Sequence, residues 1–477
     1  MNWINKQLSF KADLMVTLLN GLVVIGGVFI LNGLIARLYG LETLGEFLLV
    51  KRTLSSVIGI LLIGMNVGLP NFLSQKFNKS YGDNTFFIFW LITIPLTVFF
   101  IAGIFLFDIT GFNQDYFWTY LVYSLSMSAQ SISYGLFRGY MNMIGANFLH
   151  LFGTAIIPIT IFALGFNLYD SMLMIGLLVF SMMIIGFILR NNGLRIRNIN
   201  FQHSKKILGY GLERIISFIS QFILLAGIPI YIAQKVSFES VAYFNSSLSL
   251  VRLSLLIISP IGMVMLPRIS NKLANNYKSD VTNILTIFLN AGIMLSIIGS
   301  AYCFINASTI LEIWLGEVNE TGSLILKISI LALPFYTLSG LARSPIDAVS
   351  EKGYNSLVYG IAAFIMIIIL IVGESFNLNM LTIALISFIV SQICAGLVSI
   401  IILQKLYNHT FFDLKLIRDI IFSILFIYVI NKLLTNLHLT LLNQLFFATL
   451  IYIISGIFIF VYTKKGWLAD LKSKINA

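Results

Sequence analysis

The chain is 477 residues long, 58% hydrophobic and only 10% charged, with a mean hydropathy of +0.94. Soluble globular domains are roughly half apolar and about a quarter charged, so this composition excludes a soluble enzyme, a disordered chain and a disulfide scaffold. A net charge of +11 would point to nucleic acid in a soluble protein. Here the charges fall between apolar blocks, where they set topology and meet anionic lipid, so membrane lipids are the expected partner and nucleic acid is not.

A helix needs about 20 apolar residues to cross a bilayer. In chain order the sequence predicts spans at about 14–36, 46–68, 86–107, 117–137, 146–166, 171–189, 208–232, 241–266, 281–305, 322–342, 354–373, 380–402, 419–436 and 441–463. The first run is longer than the apolar core of a signal peptide, and no small-residue cleavage pattern follows it. The runs are continuous and lack the ten-residue alternation of barrel strands. The expected fold class is therefore an all-α integral membrane protein of about 14 transmembrane helices. No connecting segment is long enough for a soluble domain; the longest are about 190–207 and 306–321.

Lys and Arg in the short loops orient the chain. With the N-terminus in the cytoplasm, only Arg37, Lys235 and Lys432 of the 30 basic residues fall outside. Lys51, Arg52, Arg214, Arg252 and Lys327 fall within spans, and all others lie on the inner side. One missed helix would invert every later loop, so the bias places both termini in the cytoplasm.

A weak internal repeat divides the spans. Leu41-Glu42 through Leu69-Pro70 aligns without gaps to Phe238-Glu239 through Leu266-Pro267, with Phe47 opposite Phe244, and Gly145-Ala146-Asn147 resembles Gly353-Tyr354-Asn355. Each repeat then holds six helices in the same orientation, as in two-bundle transporters. The expected organisation is an N-lobe over 1–200, a C-lobe over 201–410, and a C-terminal helix pair with a cytoplasmic tail over 411–477.

At these residues the sequence resembles a known family. Ala36-Arg37-Leu38-Tyr39-Gly40-Leu41-Glu42-Thr43-Leu44-Gly45-Glu46-Phe47 looks like the first outside loop of polysaccharide-transport flippases. Val241-Ala242-Tyr243-Phe244 through Met265-Leu266-Pro267-Arg268-Ile269-Ser270 looks like their eighth helix, closing on an L-P-R-x-S pattern. Gly135-Leu136-Phe137-Arg138-Gly139 resembles the end of their fourth helix, and Leu311-Glu312-Ile313-Trp314-Leu315-Gly316 the loop before their tenth. The resemblance implies the O-antigen and capsule branch of the multidrug/oligosaccharidyl-lipid/polysaccharide exporter superfamily. Its members are expected to move undecaprenyl-pyrophosphate-linked oligosaccharide from the cytoplasmic to the periplasmic leaflet of the bacterial cytoplasmic membrane. Alternating access would pass the head group through a hydrated cavity while the lipid tail stays in the bilayer. The alternatives are a peptidoglycan-precursor flippase, whose richer set of intramembrane arginines this chain does not share, an ion-coupled exporter of small amphiphiles and a membrane polysaccharide polymerase. The short outside loops argue against the polymerase, and association with polymerase machinery stays open.

Charges at bilayer depth are costly and usually face a partner or a wet cavity. Arg252 lies well inside its predicted span, where it either pairs with the pyrophosphate of a lipid carrier or makes a structural pair. Its planar fork can donate two parallel hydrogen bonds to phosphate. Lys51 and Arg52 are neighbours on span 2, about 100° apart around the helix, so both cannot enter one cavity; Arg52 is preferred as a second substrate contact. Lys327, at the start of span 10, is either a snorkelling residue or a further substrate contact. Glu213 and Arg214, near the start of span 7, are either interfacial anchors or a gate or ion-coupling site. Arg343 and Asp347, four apart on one helix face, are expected to pair structurally. His150 is expected to be packed or hydrogen-bonded rather than a proton relay.

No Cys/His/Asp/Glu spacing fits a metal site, and no phosphate-binding loop or nucleophile elbow is present. No catalytic residue, metal or cofactor is expected. Cys303 and Cys394 lie in apolar blocks as small packing residues.

Overall fold

The computed structural model describes residues 10–412, apart from 77, 109–110, 195–198, 255–277 and 351–352, together with scattered positions from 418 to 450. Spans 13 and 14 and the Leu266-Pro267-Arg268 motif lie outside the described residues or almost entirely so.

All regular structure among the described residues is helical. Hydrocarbon offers no partner to a backbone N–H or C=O, so apolar runs of this length close their hydrogen bonds within helices. In chain order these are α1 (Phe10–Leu61), α2 (Met65–Lys76), α3 (Ser80–Ile88), α4 (Ile94–Phe107), α5 (Phe117–Gly139), α6 (Met143–Leu151), α7 (Ile157–Ala163), α8 (Leu168–Arg190), α9 (Phe201–Leu212), α10 (Ile215–Lys235) and α11 (Phe238–Val251). They continue with α12 (Lys278–Ile305), α13 (Ala307–Leu315), α14 (Glu320–Ile330), α15 (Leu333–Val349), α16 (Tyr354–Ser375) and α17 (Met380–Tyr407). Nine helical stretches of the described residues are long and apolar enough to cross a membrane. Their outer faces are apolar, as lipid requires: Phe99 is 74% exposed, Leu106 81% and Phe364 64%.

Several boundaries differ from the sequence-based expectation. The first outside loop shrinks to one residue, because α1 breaks only at Gly40, where φ is 87° and ψ 166°. A side chain there would clash with its own backbone, and glycine turns the chain in a single step. The second span is itself broken at Ile63 and Gly64, both at positive φ, before α2 resumes. The expected helix over 208–232 splits at Glu213 and Arg214 into α9 and α10. The outside segment 306–321 contains the short helix α13. Ahead of Pro95 and Pro158, the segments Phe89–Thr93 and Phe152–Ile156 widen into π-helix. Each proline removes one N–H from the ladder, and the wider turn redistributes the freed carbonyls.

Asparagine starts many of these helices. Asn142 accepts from the amide of Gly145 at 2.8 Å, Asn167 from Asp170 at 2.8 Å, Asn200 from Gln202 at 2.9 Å and Asn319 from Gly322 at 2.7 Å. Each cap satisfies an amide that the helix cannot.

Packing divides the chain into two compact units, Met1–Ser246 with Ala363–Ala384, and Ser247–Ala362 with Leu385–Ala477. In the first, the second arm of α1 (41–61) lies against α10 and α11. Glycines permit that approach: a Cβ on Gly45 would lie 1.8 Å from the carbonyl oxygen of Phe238, and one on Gly59 2.5 Å from the Phe218 ring. Lys235 at the end of α10 pairs with Glu374 of α16 at 3.2 Å. The core of the second unit joins Val281, Leu285 and Leu289 of α12 to Leu338 and Ile346 of α15 and Leu403 of α17. There Tyr407 donates to the Pro345 carbonyl at 3.2 Å.

The start of α3 and the end of α8 share a buried polar cluster. Asn191 donates to Asp83 at 2.7 Å and accepts from the Tyr140 hydroxyl at 3.2 Å, while the Arg190 guanidinium lies 4.1 Å from the Tyr140 ring centroid. Lys79 donates to the Asn192 carbonyl at 2.9 Å. Replacing Asn191 by Leu removes both amide bonds and should destabilise the protein by about 1–3 kcal/mol, read as a lower thermal midpoint of the purified protein. An unchanged midpoint contradicts the assigned role of the cluster.

Candidate functional site

The two neighbouring cations of α1 part company, as a 100° step around a helix requires. Arg52 turns to α11, where its Nε donates to Oδ1 of the fully buried Asn245 at 3.3 Å. Lys51 turns the other way and lines a cavity of about 330 Å³ within the first unit. Its ammonium lies 5.4 Å from the centroid of the Phe47 ring, one helical turn back.

Four layers of helix build this cavity. The second arm of α1 contributes Lys51, Ser55 and Ile58; α5 contributes Tyr123, Gln130 and Tyr134, among others; the α6–α7 run contributes His150 and Thr154; and α8 contributes Ile175 and Val179. Gln130 donates to Thr154 at 3.0 Å, and Gly153 beside them makes room, since a Cβ there would lie 2.7 Å from the Gln130 amide nitrogen. His150 and Tyr134 face each other with ring centroids 5.5 Å apart. No carboxylate lines the cavity, and among the described residues none lies within ion-pair distance of Lys51. The site is thus a cation set among hydroxyls, an amide and aromatic rings, on a largely apolar wall. Sequence reasoning singled out Lys51 and His150 but missed Gln130, Tyr134 and Thr154. Their signal was present: α5 reads Tyr120, Tyr123, Ser124, Ser126, Ser128, Gln130, Ser131, Ser133, Tyr134 through an expected span.

The other sequence-predicted residues fall elsewhere. Arg252 is half-buried in the second unit, on a short 3-10 turn (Arg252–Ser254) that ends α11 and lies beside α15. Positions 255–266 of the expected helix lie outside the described residues. Lys327 is half-buried near the end of α14, about 10 Å along the helix from Glu320. Glu213 and Arg214 occupy the break between α9 and α10, with side chains 79% and 40% exposed and 4.0 Å apart. Arg214 stacks on Tyr210, its Cζ 3.7 Å from the ring centroid, and donates to the Tyr210 carbonyl at 2.9 Å. An ion pair so exposed contributes little. Glu213→Gln is expected to shift the thermal midpoint by no more than about 1 °C, because exposed pairs are worth at most about 1 kcal/mol and usually far less; a large drop contradicts this placement.

The expected Arg343–Asp347 pair does not form. Asp347 instead accepts from Asn355 at 2.7 Å, and Arg343 faces the ring of Tyr359 with its Cζ 5.9 Å from the centroid. Asn355 also donates to the Arg343 carbonyl at 3.1 Å, so the neighbouring helix α16 competes successfully for the carboxylate.

A second titratable group of the first unit escaped sequence reasoning. Glu46 of α1, half-buried, accepts a hydrogen bond from the Tyr169 hydroxyl, and Tyr169 stacks on Tyr116 with ring centroids 3.5 Å apart. Tyr169→Phe leaves that carboxylate without this donor. It should lower stability by about 1–3 kcal/mol, measured by thermal unfolding; no change would show the bond to be dispensable.

No family model and no curated protein sequence matches this chain. Solved structures do match its fold. A structure of the lipid II flippase MurJ in an inward closed conformation superposes with a TM-score of 0.68 at 17% identity, covering 94% of this chain and 98% of that one. A multidrug resistance MATE family transporter of the MOP superfamily, in an inward-facing conformation, gives 0.61 at 15% identity, covering 82% and 94%. The Vibrio cholerae MATE transporter VcmN in its bent form gives 0.55 at 16% identity, covering 83% and 96%. At these identities the likeness is one of fold: this chain is an all-α, multi-pass membrane protein whose fold is similar to that of these flippase and transporter structures.

Proposed function

We propose that the chain is a flippase. It carries an undecaprenyl-pyrophosphate-linked oligosaccharide, an O-antigen or capsule repeat unit, from the cytoplasmic to the outer leaflet of the bacterial cytoplasmic membrane by alternating access. The observation that carries this reading is the reach of the fold likeness. The lipid II flippase covers 94% of this chain, whereas the MATE structures cover 82–85%. The proposal keeps lobes at 1–200 and 201–410 with a C-terminal helix pair over 411–477.

In this reading the protein is no enzyme and breaks no covalent bond. Arg52 and Arg252 are each proposed as a pyrophosphate contact, by charge-assisted hydrogen bonds from a planar fork. Lys51 and Lys327 add positive charge along the path. Glu213 and Arg214 serve at a gate or in ion coupling, both termini face the cytoplasm, and polysaccharide polymerase machinery is a proposed partner.

Cells lacking the protein should build the lipid-linked oligosaccharide normally but accumulate it on the cytoplasmic leaflet, out of reach of an impermeant oxidant applied from outside. Unimpaired exposure at the outer leaflet contradicts the proposal. A second reading, an ion-coupled exporter of small amphiphiles, draws on the MATE likeness. It predicts efflux of cationic dyes that the same deletion abolishes.

A further inference from the structure

We infer that the cavity of the first unit is a separate binding site for a single carboxylate-bearing sugar, a hexuronate or similar acidic pyranose, with Lys51 as its charge partner. The inference deepens the flippase reading and rests on it for its place in transport, since it assigns an acidic residue to the glycan carried.

Charge comes first. Lys51 brings a cation into the wall of the cavity, and no carboxylate lines it. Burying an ammonium without a counter-charge is costly, so the cavity favours an anion. One lysine balances one negative charge. A pyrophosphate, with at least two, is poorly matched here, which separates this cavity from the arginines assigned to the lipid carrier.

Size and lining then narrow the class. About 330 Å³ is in the range of small-molecule pockets and far exceeds what a halide ion needs. Away from Lys51 the cavity offers donors and acceptors suited to ring hydroxyls: the Gln130 amide already bonded to Thr154 at 3.0 Å, and His150 across from Tyr134. The Tyr134 ring, packed against His150 and with the Arg138 guanidinium 5.5 Å from its centroid, adds an aromatic edge and a hydroxyl to the lining. A fatty acid would satisfy the charge but would make no use of the Gln130, Thr154 and His150 polar groups.

Binding of radiolabelled glucuronate to the full-length protein in lipid nanodiscs, at fixed pH and ionic strength, tests the assignment. The expected result is saturable binding of glucuronate, with glucose at the same concentration bound at least about tenfold more weakly. Chloride at equal concentration should fail to displace the sugar. Lys51→Met should abolish the preference, while Lys51→Arg should retain much of it; Gln130→Leu, which leaves the charge in place, should weaken glucuronate and glucose together. Each variant is taken only with a thermal midpoint near that of the unchanged protein. Equal binding of glucose and glucuronate, displacement by equimolar chloride, or full binding by Lys51→Met overturns the assignment. Flipping is measured separately. Binding without flipping leaves the site standing and removes the flippase reading; flipping without glucuronate binding does the reverse.

Discussion

Arg52→Met and Arg252→Met are each expected to lower the initial rate of lipid-linked oligosaccharide flipping by about tenfold or more. A charge-assisted hydrogen bond to phosphate contributes about 1.5–3 kcal/mol, and each 1.4 kcal/mol is a factor of ten. Arginine-to-lysine variants at both positions should recover part of the loss, because the charge returns without the bidentate fork. For Arg52 the loss has two sources to separate. Its guanidinium also donates to Asn245 at 3.3 Å, so Asn245→Leu tests the structural share. If Asn245→Leu lowers the thermal midpoint but leaves flipping largely intact, while Arg52→Met stops flipping in a folded protein, the arginine acts on substrate. Normal flipping by either arginine-to-methionine variant would remove that residue from the proposed pathway.

Gly45→Leu should prevent the first unit from folding. A Cβ at position 45 would stand 1.8 Å from the Phe238 carbonyl oxygen and 3.2 Å from the Ala242 amide nitrogen. The obstacle is backbone, which no rotamer change can move, so α1 and α11 must separate. Overpacking of rigid interiors costs about 1–3 kcal/mol and occasionally more. Gly45→Ala should therefore lower the thermal midpoint measurably, and Gly45→Leu should give aggregate rather than a monodisperse peak on size-exclusion chromatography. A monodisperse Gly45→Leu protein with an unchanged midpoint would contradict the helix contact. The same contact gives a physical reason for a glycine within Leu41-Glu42-Thr43-Leu44-Gly45-Glu46-Phe47.

Much of the fold was legible because hydropathy reports how favourably a segment enters hydrocarbon. The runs beginning near 117, 171, 354 and 380 became α5, α8, α16 and α17 within a few residues. Hydropathy carries no information about the direction of the backbone. The break at Gly40 and the turn at Ile63-Gly64 therefore lay between or inside apolar runs without a signal in that scale, whereas the split at Glu213-Arg214 was marked by charge alone. Glycine and proline marked some of them, but glycines also serve close packing, as at Gly45, so the residue alone did not distinguish a turn from a contact.

The site was legible in part for the same reason. Helical geometry alone requires Lys51 and Arg52 to point apart. Which of them meets Asn245 and which enters a cavity depends on the neighbours that α5 and α11 supply, and those come from more than 65 residues away in the sequence. The Arg343–Asp347 expectation failed on a similar ground. Spacing of four places two side chains on one face, yet Asn355 reached Asp347 from the next helix with a short neutral-to-charged bond. The Ser- and Tyr-rich face of α5 was the strongest sign of a polar interior, because hydroxyls facing lipid would have no partner.

The central claim is that this protein moves a lipid-linked oligosaccharide across a bilayer. Its most direct test uses purified full-length protein in sealed vesicles loaded with a fluorescent undecaprenyl-pyrophosphate oligosaccharide in both leaflets, with an impermeant quencher added outside. The account predicts that the protein exposes nearly all of the label to quencher, that protein-free vesicles expose about half, and that cationic dyes are not transported. Quenching that stays at about half with folded protein present, or transport of dyes without movement of the lipid, would contradict it.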